Sequence, residues 1–321
     1  MSSIFEHFGI GSDLFETEGE FKSLSEDHRP SKLSDIRDAI NLTVPRECGH
    51  ELIRIGSDGG GRNPAILDDG KYLMPDDLDG IEACFSPGVA NTKGFEDELA
   101  ERFGIKSFMC DFSSEEGRFA TPIIPEMQFF RKKWLDTSGD DDSITIEQWV
   151  SEESAGTNDL LLQMDIEGAE YRNIISCKRE TLERFRIIVI EVHGLGFLER
   201  MDFLNGIFIP FIKKITRSFT CVHAHPNNNA GLWTASEDLV IPRLMELTFL
   251  RNDRFTDKEV RIEIPHPLDI VNNNLKPPVF LSEPWARFPR SNDSKLLMFE
   301  QRLKWAEKEL ARLSNELDER E

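Results

Sequence analysis

Short apolar runs alternate with stretches of helical spacing over most of the chain. Gly80-Ile-Glu-Ala-Cys-Phe85 predicts a strand that breaks at Ser86-Pro87-Gly88. Phe95, Leu99, Ala100 and Phe103 then recur on one face of a helix. Ile105–Asp111, Asp159–Asp165 and Arg186–His193 read as further strands, the last two separated by a helix from Gly168 to about Cys177. A helix over roughly 202–216, a strand ending in Cys221-Val-His-Ala-His225 and a strand over Leu244–Leu250 complete the set. Strands alternating with helices predict an α/β fold, a mostly parallel sheet with helices on both faces. The last two strands have only a loop, 226–242, between them, which predicts a terminal antiparallel strand pair.

The ends of the chain differ from this middle. Phe15, Phe21, Leu24, Leu33, Ile36 and Ile40 are spaced for an N-terminal helical arm over 1–45, ending at Pro45. A short strand, Glu51–Gly56, precedes a glycine-rich loop at 58–64. Leu296, Phe299, Leu303, Ala306, Leu310, Leu313 and Leu317 repeat at 3-4 spacing and predict a C-terminal amphipathic helix. Its seam suits a coiled coil joining a homo-oligomer or another partner, or packing on its own domain. The expected organisation is an arm over 1–45, a sheet domain over 46–290 and a coiled-coil-like helix over 291–321.

Composition narrows the function. With 321 residues the chain holds one large or two modest domains, and 38 basic against 59 acidic residues give a net charge of −21. A surface of that sign repels phosphate, so no nucleic-acid partner is expected. No apolar stretch is long enough for a membrane span. Five scattered cysteines without a C-x-x-C pair fit a reducing compartment, and the N-terminus has no secretory pattern, so a cytoplasmic location is expected.

In an open α/β sheet, ligands bind beyond the carboxyl ends of the strands. Those ends carry Gly88, Asp111, Asp165, the pair Glu191 and His193, and the pair His223 and His225. A glycine turn lets backbone N–H groups approach an anionic ligand. An acid such as Asp111, about 23 residues further on, is placed to accept ribose hydroxyls, or simply to cap a helix. Glu96 falls in the first turn of the following helix, where it also suits the helix dipole. Asp165-Ile-Glu-Gly-Ala-Glu170 puts three acids at a buried strand end, more than capping explains. Asn227, Asn228, Asn229 and Trp233 carry groups that bind sugars, or form a turn. Asp140-Asp141-Asp142 is either a metal-diphosphate loop or a solvated one.

These residues resemble the FkbM-type S-adenosylmethionine-dependent methyltransferases. The likeness rests on Asp165-Ile-Glu-Gly-Ala-Glu170 followed by Ile190-Glu-Val-His193, with Ser143-Ile-Thr-Ile-Glu-Gln-Trp149 upstream. Asp69-Gly-Lys-Tyr-Leu-Met-Pro75, Phe85-Ser-Pro-Gly-Val-Ala-Asn91 and Val222–Asn228 extend it to roughly residues 50–285. The chain departs in keeping only Gly88 in the glycine turn and in carrying Lys71 where a second glycine is usual. The resemblance implies a Rossmann-like methyltransferase fold and S-adenosyl-L-methionine as cofactor. It implies that Gly88, Asn91, Glu96 and Asp111 hold the cofactor, with Thr145 near the adenine and Asp165 near the sulfonium. The acceptor would be a hydroxyl of a sugar or glycan-like molecule. His193 or His225 would serve as base, or Asp165, Glu191 and His223 would hold a divalent metal. Two other readings compete: a metal-dependent, glycosyltransferase-like enzyme of nucleotide sugars using the acidic loop, and a non-catalytic assembly module built on the coiled coil.

Overall fold

The computed structural model describes residues 3–56, 70–156, 158–237, 239–255, 265–273, 275–281 and 283–285, with single positions at 303, 306, 307 and 310. The loop expected at 58–64 lies outside the described residues. So does most of the C-terminal seam, of which Leu303, Ala306 and Leu310 are described, all helical, with Leu303 and Leu310 exposed.

The N-terminal segment forms α1 (Ile4–His7), α2 (Glu18–Ser25) and α3 (Leu33–Asn41). A hairpin of β1 (Leu52–Ile55) and β2 (Tyr72–Pro75) follows. The sheet begins with β3 (Ile81–Pro87), α4 (Gly94–Phe103), β4 (Lys106–Cys110) and β5 (Gln128–Arg131). A small parallel pair, β6 (Trp134–Leu135) and β7 (Ser143–Ile144), leads into α5 (Ile146–Glu153). Then come β8 (Asp159–Met164), α6 (Glu170–Ser176), α7 (Arg179–Leu182) and β9 (Phe185–Val192). A helix opens as α8 (Met201–Phe203), passes through a π turn at Leu204–Phe208 and ends as α9 (Ile209–Thr216). The chain closes with β10 (Phe219–Pro226), the hairpin β11 (Leu232–Ser236) and β12 (Leu239–Pro242), and β13 (Met245–Arg251).

Seven strands form the central sheet in the order β10-β13-β9-β8-β3-β4-β5. From β9 to β5 all neighbours are parallel, and β13 runs antiparallel between β9 and β10. The expected mostly parallel sheet with a terminal antiparallel pair is therefore present, and it is consistent with a Rossmann-like methyltransferase layout. The chain leaves β3 toward β4 and β5, then returns to β8 on the other side of β3. That reversal marks the switch point beyond the ends of β3 and β8, where open α/β sheets bind their ligands.

Each residue of β9 is buried because the sheet is covered on both faces. One face packs on Trp149, Tyr171, Phe203, Phe211 and Ile215 from the helices. The other packs on Phe95 and Leu99 of α4 and on Ile55, Tyr72 and Met74 of the hairpin.

Three local expectations change. The segment 226–242 is not a plain loop but holds the β11–β12 hairpin, entered through Gly231 at φ 78°. The basic-aromatic stretch 128–134 supplies edge strand β5, where alternation lets Gln128 be buried and Phe129 exposed. The helix expected from Gly168 starts at Glu170, because Glu167 and Gly168 have φ of 56° and 103° and form a turn instead. The N-terminal arm packs into the same core as the sheet, through the buried residues Ile4, Phe5, Phe8, Ile36 and Ile40. Among the described residues, no helix is long and apolar enough to cross a membrane.

Candidate active site

β3 runs two residues further than its apolar pattern, through Ser86 and Pro87, and stops before Gly88. Gly88 N–H donates to Cys110 O at 2.9 Å, and Asp165 N–H donates to Pro87 O at 3.3 Å, so the ends of β3, β4 and β8 meet there. Gly88 has φ of 86°, and a Cβ on it would lie 1.6 Å from Asp165 O. Only glycine fits this crossing.

The next residues are sewn to the loop after β4. Asp111 accepts from Ala90 N–H at 2.9 Å, from Ser113 N–H and Oγ at 2.8 and 2.7 Å, and from Ser114 Oγ at 2.7 Å. Burial would raise its carboxyl, but these four donors hold it below the usual range. Asn91, at φ 62°, donates from its backbone to Ser114 Oγ and accepts from Glu115 N–H at Oδ1. The structure thus brings Asp111, from the loop after β4, against the turn that holds Gly88 and Asn91.

Glu96 lies beneath that turn rather than in it. It is buried, its Oε1 contacts Ser86 Oγ, and it joins a chain in which Ser86 Oγ is 2.6 Å from Gln163 Oε1 and Gln163 Nε2 donates to Tyr72 Oη at 3.2 Å. Burial pushes its carboxyl up to about 7, against the Ser86 hydrogen bond. Thr145 is the N-cap of α5, its hydroxyl accepting from Gln148 N–H at 3.1 Å in a capping box.

At the ends of β8 and β9, Asp165, Glu170 and His193 converge, with one ligand-type atom of each within 4.8 Å of the others. His193 Nδ1 is 2.9 Å from Glu170 Oε1, while Nε2 is 3.8 Å from Asp165 Oδ1 and 3.4 Å from Glu167 Oε2. Burial would lower the His193 imidazole, but the Glu170 hydrogen bond and the nearby acids raise it to about 9. Burial and then Glu191 push Asp165 well above the carboxylate range. Phe8 of the arm underlies the two turns that aim these groups: its ring is 3.4 Å from where a Cβ of Gly168 would sit and 2.8 Å from that of Gly194.

Register continues the polar row across the sheet. Glu191 on β9 faces Glu246 on β13, which faces His225 on β10. Burial raises Glu246 to about 8. Asn227 Nδ2 donates to Glu191 Oε1 at 2.8 Å, and Asn272 Nδ2 to Glu246 Oε1 at 2.6 Å. His223 lies one rung over, with Nε2 3.0 Å from Asp269, and His225 has its nitrogens 3.1 Å from Asn272 and 3.5 Å from Asp269. The two histidines expected at the site are buried on β10, with β13 and β9 between them and the Asp165 strand, and are held by the segment 265–273. Asn228 and Asn229 likewise tie that segment down through Asn273 and Lys276.

Of the sequence-derived residues, the structure thus groups Gly88, Asn91 and Asp111, and separately Asp165, Glu191 and His193. It does not bring His223, His225 or Thr145 into either group. Glu170, Glu246 and Asp269 were not singled out for the site. Glu170 was visible as the last acid of its motif, whereas Asp269 carries no local signal. Asp140 accepts from Asp142 N–H and Ser143 Oγ, closing the acidic loop on itself. A comparison with curated proteins gives no match. Residues 122–212, which run from before β5 into α9 and include Asp165, Glu170, Glu191 and His193, match the family model described as the methyltransferase FkbM domain.

Proposed function

We propose that the protein is an S-adenosylmethionine-dependent O-methyltransferase acting on a hydroxyl of a sugar or glycan-like acceptor. The observation that carries this reading is the contact of the Gly88 turn with the Asp165 strand end, at a switch point whose acidic half belongs to the matched segment. Asp111 would hold the cofactor's ribose hydroxyls, its present Ser113 and Ser114 hydroxyl donors being rotors able to turn aside. The carboxylates of Asp165 and Glu191 complement the sulfonium charge. Bound S-adenosylmethionine would supply the methyl group to the acceptor oxygen, its C–S pair returning to sulfur, and the acids at the strand ends would take the hydroxyl proton. The protein's main contribution is to hold oxygen, carbon and sulfur in line. The self-closed acidic loop favours this reading over a metal-dependent enzyme of nucleotide sugars.

The test is calorimetric titration with S-adenosylhomocysteine, alongside methyl transfer from labelled cofactor to a panel of glycans. Binding that weakens about ten-fold or more in Asp111→Asn is expected, since a charged hydrogen bond to a ribose is worth 1.5 to 3 kcal/mol, roughly. A folded protein that binds a nucleoside diphosphate and no S-adenosylhomocysteine overturns the reading.

A further inference from the structure

We propose that Asp165, Glu170 and His193 hold a divalent cation at the sheet edge. The three offer ligand atoms within 4.8 Å of one another. Glu170 is wholly buried: its Oε1 accepts from His193 and from Ile166 N–H, but its Oε2 has no partner among the described residues. Asp165 Oδ1, 3.8 Å from His193 Nε2, has none either. Buried carboxylate oxygens without donors are costly, and a cation supplies what both lack. The imidazole is already aimed. Nδ1 lies 2.9 Å from Glu170 Oε1, and Nε2 faces Asp165 Oδ1 at 3.8 Å and Glu167 Oε2 at 3.4 Å. Glu167 is 87% exposed and brings a further oxygen within 3.4 Å of Nε2.

Two carboxylates and one imidazole suit Mn²⁺ or Zn²⁺ better than Ca²⁺ or Mg²⁺, which prefer oxygen alone. Resting on the methyltransferase reading, the open positions of such an ion take two neighbouring hydroxyls of the acceptor. The substrate class narrows to sugars bearing a vicinal diol, and the ion acidifies the hydroxyl so that a carboxylate suffices to take its proton.

The test uses the full chain without cofactor, titrated with Mn²⁺ and followed by loss of the free-ion EPR signal and by nitrogen modulation in pulsed EPR. One Mn²⁺ per chain is expected, with nitrogen coupling that disappears in His193→Gln and affinity about 10- to 100-fold weaker in Asp165→Asn and Glu170→Gln. Glu167→Gln changes an exposed side chain, keeps the fold, and is expected to weaken Mn²⁺ several-fold even if the buried variants do not fold. No Mn²⁺ uptake by the folded protein overturns the proposal. So does uptake that lacks nitrogen coupling, or that is unchanged in Glu167→Gln. Calorimetry with S-adenosylhomocysteine separates the two ideas: Mn²⁺ binding without cofactor binding leaves the ion site standing and removes the methyltransferase reading, and the converse removes only the ion.

Discussion

Replacing Glu96 by glutamine tests whether the turn that ends β3 rests on a protonated carboxyl. Ser86 has one hydroxyl hydrogen, yet its oxygen contacts both Glu96 Oε1 and Gln163 Oε1. With Gln163 Nε2 donating to Tyr72, the chain closes when Glu96 carries a proton and donates to Ser86, which then donates to Gln163. Burial accordingly raises Glu96 from 4.5 to about 7. The sign follows from proton uptake on folding: stability from this group is full below the unfolded value and is lost as pH rises toward the folded one. Between pH 5 and pH 8 that linkage removes about 2.5 kcal/mol from the wild type. The neutral amide of Glu96→Gln has no such term. Urea unfolding at the two pH values is the assay. The variant is expected to match the wild type at pH 5 and to exceed it by about 2.5 kcal/mol at pH 8. Parallel stability curves for the two proteins would refute the buried-acid account.

Gly88→Ala places a methyl group on the Asp165 carbonyl and forces a left-handed backbone, so it is expected to cost well over the ~1–2 kcal/mol of the backbone term alone and to abolish S-adenosylhomocysteine binding in calorimetry. Phe8→Ala removes a ring packed on Tyr171 and Phe203, for an expected loss of about 3–5 kcal/mol in urea unfolding, and loosens the turns that carry Glu170 and His193. Asp269 is opposed by burial, but His223 and His225 hold its carboxyl far below the unfolded value of 3.8, so its contribution is present above that value and fades as pH falls below it. Asp269→Asn is therefore expected to lower stability at pH 7 and to flatten the acid side of the stability profile, and to expose the 265–281 segment to limited proteolysis. An unchanged acid limb would show that the histidines do not depend on it.

The sheet was legible because its central strands report burial on both faces. Arg186–His193 and Asp159–Asp165 are near-continuous apolar runs, and such runs belong to few other structures. The β11–β12 hairpin was not, since its first strand is half-buried and begins beside Asn227–Asn229, residues that also favour turns. The placement of His223 and His225 shows a different limit. Strand-end position correctly put them on the carboxyl edge of the sheet, but their distance from Asp165 depends on β13 being inserted between β9 and β10. That insertion is a property of strand order, which alternation along one strand does not encode. Asp269, 46 residues from His223, reaches it only because the chain folds back over the sheet edge.

Glu167 and Glu170 make the same point at the scale of one turn. Both belong to a single acidic motif and both had a plain explanation as charges at the start of a helix. The backbone separates them: Glu167 takes φ of 56° and Gly168 φ of 103°, so the helix begins two residues late. Glu167 is left outside, 87% exposed, while Glu170 enters the first helical turn wholly buried, its Oε1 against His193. Gly168 tolerates that turn, and Phe8 from the far end of the chain lies directly against it. A replacement of Phe8 therefore acts on the acidic cluster without touching any of its members, and the geometry of the site is a property of the arm as much as of the motif.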